Sequence, residues 1–235
     1  MPYGQVPVAI QGNVSLGIAT LVLGGVLVAC SVLQALTAPA AARAYDRTVA
    51  LGYLPGPAYA LHQLLGGLSV VVVPLWIVGS IWLYRAHFAA FALVSGHMRR
   101  APHWSWLGWV VPVVNLWFPK QILDDVWRAA GSRTLPTSPG RQRSTDLMWG
   151  LWLTYNVLYG LAHLHFWSSA NGDPNTLAAD NAYYMSHPVI HPPLEILGAV
   201  VGIAAYVAWV RVVRGISAAQ EELTRRPFVQ GPVPY

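Results

Sequence analysis

The chain has 235 residues, of which 55% are hydrophobic and only 10% charged, against about 25% charged in an ordinary soluble domain. With a mean hydropathy of +0.44, it could not cover a water-facing surface, which excludes a soluble enzyme, a disordered chain and a secreted disulfide scaffold. The net charge of +5 does not make a nucleic-acid binder, because the basic residues flank apolar runs and do not form an aromatic-interleaved basic face. Cys30 is the single cysteine, so neither an intrachain disulfide nor a Cys-based metal site can form.

Charge-free stretches map the crossings. Residues 1–42, 48–84 and 147–172 carry no charged side chain. Within them 14–36, 61–84 and 147–167 reach the ~20 residues that span ~30 Å of hydrocarbon. A fourth span is expected over 192–213, with Glu195 in its first turn and Arg211 in its last, where both charged heads reach the interface. The first span reads as a retained anchor: Ala38–Ala42 resembles a cleavage site, but residues 1–13 lack the basic start of a secretory signal. The expected organisation is a tail over 1–13, one membrane domain over 14–220 and a tail over 221–235.

Eleven of the 14 Lys and Arg residues lie between spans two and three or after span four, Arg211 stands in the last turn of span four, and none lies between spans three and four. The positive-inside rule therefore predicts a multi-pass cell-membrane protein with both termini and the 85–146 segment in the cytoplasm.

Residues 104–119 read WSWLGWVVPVVNLWFP. The apolar run before Pro119 is too short for a comfortable crossing, since a helix of that length rises only ~22 Å. Pro112 removes a backbone donor at its middle, and Asn115 offers a side chain to the freed groups. Trp104, Trp106, Trp109 and Trp117 favour the headgroup boundary. A broken re-entrant or interfacial element is expected, entering and leaving on the cytoplasmic side. An amphipathic helix over 120–130 follows. Ile122, Val126 and Trp127 form its apolar side, Asp124, Asp125 and Arg128 its wetter side, and Gly131 is its C-cap. Such a helix would lie on the inner leaflet, or Asp124 or Asp125 would pair with Arg85 or Arg128 in a functional cluster. A Gly/Ser/Pro/Arg linker follows it.

WLYRA at 82–86 and RRAPHWSWLGWVVPVVNLWFPKQILDDVW at 99–127 together resemble a bacterial multi-pass membrane family known as domain of unknown function 4328. Arg85 stands in the aromatic-Arg helix end. Arg100, Pro102, Trp104, Pro112, Asn115, Leu116, Trp117, Pro119 and Trp127 match the central pattern, and Gln220 fills a later place. Ala89 stands where the family often carries Asn, so a role resting on that amide does not transfer. The resemblance covers roughly 61–220. It implies an integral membrane protein and neither an activity nor a cofactor.

Eight histidines raise the question of a metal. His163 and His165 end span three, while His187 and His191 precede span four, and these four could converge on zinc or copper with Asp180. The alternative is a set of interfacial histidines. His87, His97 and His103 sit among arginines and are expected at the interface; His62 alone lies near a span interior, which speaks against bis-histidine haem. No phosphate loop, zinc helix or nucleophile elbow occurs. The span interiors offer mainly Gln34, Thr154 and Asn156, with no acidic residue near a midplane. Gly17, Gly24, Gly25, Gly198 and Gly202 suit close helix packing or self-association.

The sequence thus predicts an all-α integral membrane protein, a four-span bundle with a broken Trp-rich element and a cytoplasmic-face amphipathic helix. Its expected role is non-enzymatic: an interaction or regulatory component that meets anionic headgroups, a membrane-protein partner or a second copy through the segment around 99–131. Small-solute permeation at the Pro112–Asn115 break, and a metal-dependent enzyme built on the outer histidines, are the alternatives.

Overall fold

The computed structural model describes residues 13–51, 56–93, 98–111, 113–131, 139–163 and 190–225. The described elements are helical, with no strand among them. In chain order they are α1 (Asn13–Leu51), α2 (Pro57–Gly67), a 3₁₀ turn (Leu68–Val71), α3 (Val72–Leu93), α4 (Trp104–Val110), a 3₁₀ turn (Val114–Leu116), α5 (Phe118–Gly131), α6 (Pro139–His163) and α7 (Pro192–Arg225).

Among the described residues, three stretches are long and apolar enough to cross a membrane: Asn13–Ala44, Pro57–Phe91 and Pro192–Glu221, with mean hydropathies of 2.4, 2.2 and 2.1. At ~1.5 Å per residue each exceeds the ~30 Å hydrocarbon thickness. Their Ile18, Val22, Leu36, Leu64, Val70 and Val200 side chains are exposed, as expected of helices whose solvent is lipid. α6, the expected third span, is not among the three. Its start carries Arg141, Arg143 and Asp146, while Trp, Tyr, Thr and Asn dilute the rest.

The helices outrun the apolar windows. α1 continues to Leu51, well past the hydropathic limit at 36, because residues 35–44 are mostly alanine, the strongest helix former. The 3₁₀ turn between α2 and α3 lies between Gly66–Gly67 and Pro74. Proline removes the N–H of its own residue and crowds the carbonyl four residues before it, here that of Val70, which accounts for the tightened turn.

The chain forms two compact units. The first comprises residues 1–25, 71–150 and 206–235, the second 26–70 and 151–205. In the first, Trp82, Leu83, Ile122, Leu123, Val126, Val212, Val213 and Ile216 are fully buried. Gly24 and Gly25 lie against the ring of Tyr206, whose hydroxyl donates to the Leu21 carbonyl at 2.8 Å. In the second, Ala38 and Ala41 pack with Tyr59 and Ile190, and Gly202 lies against the ring of Tyr155.

α5 departs from expectation. It is amphipathic, but it does not lie on a surface: Phe118, Ile122, Leu123, Val126, Trp127 and Ala129 are buried, and so are Asp124 and Asp125, at 7% and 2% exposure. Only Arg128 of the three wetter-side residues is exposed. Arg99 from the preceding segment, with Lys120 and Arg128 of α5 itself, covers the polar face.

Candidate functional site

The Trp-rich segment is broken, as its length and prolines require. Tight turns start α4, with the Trp104 and Ser105 amides donating to the Ala101 and Pro102 carbonyls. α4 ends at Val111, whose backbone is extended. Val113 then takes φ 69°, ψ −55°, a conformation that costs a β-branched residue on the order of 1–3 kcal/mol. The Asn115 amide donates to the Val111 carbonyl and re-forms a turn, and Pro119 enters the first turn of α5, where a missing N–H is harmless. Pro112 lies outside the described residues. Gly108 allows the return, since a Cβ there would stand 3.3 Å from the Phe118 Cβ, and Trp149 Nε1 donates to the Leu116 carbonyl at 2.8 Å. The outside of the element is apolar and exposed at Leu107, Val110, Val113, Leu116 and Trp117.

Beneath this element is a cage of charges. Asp125 accepts from the backbone N and the Nε of Arg99, both at 2.9 Å, and from Arg128 at 2.7 Å. Asp124 accepts from Lys120 at 2.8 Å and from the Thr145 hydroxyl, with Arg99 3.6 Å away. Lys120 also reaches Asp146 at 2.7 Å. Burial works against the Lys120 charge, but hydrogen bonds and attraction from Asp124 and Asp146 outweigh it, and its pKa is raised. Arg100 donates to Gln121 Oε1 at 3.0 Å and lays its guanidinium 3.8 Å above the Phe118 ring. The cage holds both oxygens of each buried carboxylate in hydrogen bonds. Its work is to clamp the 99–103 segment and the start of α6 onto α5.

The family-like residues are mostly part of this framework. Trp104 stands edge-on to Phe118 with ring centroids 4.7 Å apart. Trp127 is buried against Gly215, where an added Cβ would come within 2.9 Å of the indole. Asn115 Oδ1 is buried without a hydrogen-bond partner, while Trp117 is exposed. Arg85 is half-buried on α3 and bonded. Asp125 pairs with Arg128 as sequence reasoning allowed, but the principal partners, Arg99 and Lys120, were not anticipated. His87 was expected at the interface and is instead fully buried, with Nδ1 3.2 Å from the Ser105 hydroxyl. Ala89 is buried as well, so the core closes apolar at the position where the resembling family often carries Asn. Gln220 is buried and ties three helices together: it accepts from Asn13 at 2.8 Å and donates to the Ala86 carbonyl at 3.2 Å.

A second polar site lies within the second unit. His62 Nε2 is 3.5 Å from Glu195 Oε1, and both side chains are buried. Glu195 does not reach water at the interface, which corrects the expectation from its place in the first helical turn. It lines a cavity of about 20 Å³ together with Ser31, Gln34, Tyr155 and Tyr159. The signal that could have found this site is the pair of ionisable residues set into otherwise apolar helices.

Of the four histidines weighed as metal ligands, only His191 has a described side chain. His165 and His187, and the ring of His163, lie outside the described residues. Among the described residues no three His, Cys, Asp or Glu side chains gather as a metal site.

Long apolar helices, a broken aromatic element and a caged α5 define a helical protein of membrane-protein type. The chain belongs to the family described as domain of unknown function (DUF4328), whose model matches residues 56–218. Nothing among curated proteins or solved structures matches it. The matched range holds the charge cage, the broken element and the His62–Glu195 pair, while Asn13, Ser31, Gln34 and Gln220 fall outside it.

Proposed function

We propose that this chain is a four-crossing cell-membrane protein that acts as a non-enzymatic interaction or regulatory component. Its working surface is the segment from Arg99 to Gly131. α6 supplies the fourth crossing, and the arginine-rich 85–146 segment and both termini face the cytoplasm, a reading supported by the distribution of Lys and Arg.

One observation carries the proposal: Leu107, Val110, Val113, Leu116 and Trp117 are exposed on the same unit in which the Arg99 and Arg128 side chains are 42% and 54% exposed. Apolar side chains with an aromatic suit the acyl boundary, and guanidinium heads suit anionic headgroups. The hydrogen-bonded carboxylates of Asp124 and Asp125 supply rigidity to this surface. A photo-crosslinker placed at Val113 or Leu116 in native membranes should capture acidic phospholipid and a discrete protein adduct, which a crosslinker at the buried Ile122 should not. Equal, background-level capture at all three positions would contradict the proposal.

A further inference from the structure

The interaction surface makes no use of His62 and Glu195, and the chemistry around them is specific. His62 Nδ1 lies 3.2 Å from the Gln34 carbonyl and 3.3 Å from the Thr37 hydroxyl. A carbonyl oxygen can only accept, and the Thr37 hydroxyl already gives its proton to that same carbonyl at 2.9 Å. Nδ1 is therefore the protonated nitrogen in either charge state of the ring. The proton that can come and go is the one on Nε2, which faces Glu195.

Glu195 engages His62 through Oε1 alone. Its Oε2 is buried with no hydrogen-bond partner, and the side chain is 7% exposed. The cavity it lines holds about 20 Å³, while one water needs ~10–15 Å³ and two to four polar partners. The partners are present. Ser31 donates to the Leu27 carbonyl at 3.0 Å, so the 3.0 Å contact with Tyr155 is made by the Tyr155 hydroxyl donating to Ser31. Tyr155 thereby keeps acceptor lone pairs. A water in the cavity can donate to Tyr155 and to Glu195 Oε2 together, and an organic solute is too large to enter.

We infer that His62 and Glu195 form a proton-binding pair, loaded and unloaded through a single water in this cavity. With one proton between them the pair is neutral overall, as an imidazole and a carboxylic acid. Gaining or losing a further proton leaves net charge in an apolar surrounding. Among the described residues, the other ionisable groups near the pair are Tyr155 and Tyr159 from α6 and His191 just before α7; α1 contributes the neutral Ser31, Gln34 and Thr37. Gln34 is held in place by close contact with Gly66, where an added Cβ would lie 3.0 Å from its amide nitrogen.

The test is infrared difference spectroscopy between about pH 5 and about pH 8, which brackets ordinary histidine titration, on the full chain in lipid vesicles. Wild type should show a carboxylic-acid carbonyl band on acidification that Glu195→Gln lacks. His62→Gln removes the ring that faces Glu195, so the frequency of its band should shift. Superimposable wild-type and Glu195→Gln spectra would overturn the inference. Should Glu195→Gln fail to fold, an unchanged band frequency in His62→Gln would overturn it instead. A band that sodium chloride abolishes at constant pH and ionic strength would assign the cavity to a metal cation and also overturn it.

Discussion

Arg99 is bound twice to Asp125, through its backbone N–H and its Nε, each at 2.9 Å. This double bond fixes the chain at the entry to the broken element against a helix that begins only after the element has returned. Asp125→Asn would leave Arg99 and Arg128 short of a countercharge. It should destabilise the protein by on the order of 2–3 kcal/mol, less than a fully buried pair because both arginines reach water. Arg128→Gln, at the exposed partner, should cost under about 1 kcal/mol. Thermal unfolding in detergent micelles ranks the two, and equal losses would contradict the cage.

Glycine contacts give a steric prediction. A Cβ on Gly202 would stand 3.1 Å from the Tyr155 ring, while one on Gly198 would be 3.9 Å from its nearest neighbour. Gly202→Leu should therefore lower stability by about 1–3 kcal/mol or more through overpacking, and Gly198→Leu much less. Gly215→Ala should be rescued in part by Trp127→Phe, because the contact it would make is with the far ring of the indole. Melting temperatures of the single and double variants provide the check.

Gln220 tests a polar tie. Replacing it with alanine orphans the Asn13 amide, at about 1–3 kcal/mol, and removes the second donor to the Ala86 carbonyl, which keeps its helical bond. Asn13→Ala should be milder, since Gln220 would keep its bond to Ala86. Reversal of that order in thermal melts would argue against the arrangement.

Lys120 sets a pH dependence. Its folded pKa is raised, so the stability it contributes is fully present below the unfolded value of about 10.4 and is lost only as pH rises through the folded one. The difference in stability between wild type and Lys120→Met should be the same at about pH 7 and about pH 9, shrinking only above about pH 10.4. A difference that already shrinks between about pH 7 and about pH 9 would mean that Lys120 does not hold its charge.

The long helices and the break were legible because they rest on local facts: charge-free runs, Pro119 closing an apolar stretch too short to cross, and a period of apolar residues in α5. Tertiary pairing was less so. Asp124 and Asp125 read as solvated because nothing local shows that Arg99 precedes them in space or that Thr145 and Asp146 arrive from α6. The same holds for His62 and Glu195, which belong to helices far apart in the chain and meet only once folded. The extent of α1 was hidden for another reason: hydropathy falls at its alanine stretch, but helix propensity does not.

The central claim is a membrane topology with the 85–146 segment inside. It is tested most directly in a Cys30→Ala background by placing single cysteines at Pro136, Asn171 and Gln230 and treating intact cells with a membrane-impermeant maleimide. The account predicts labelling at position 171 from outside, and at 136 and 230 only after permeabilisation. Labelling of 136 in intact cells, or protection of 171, would contradict it.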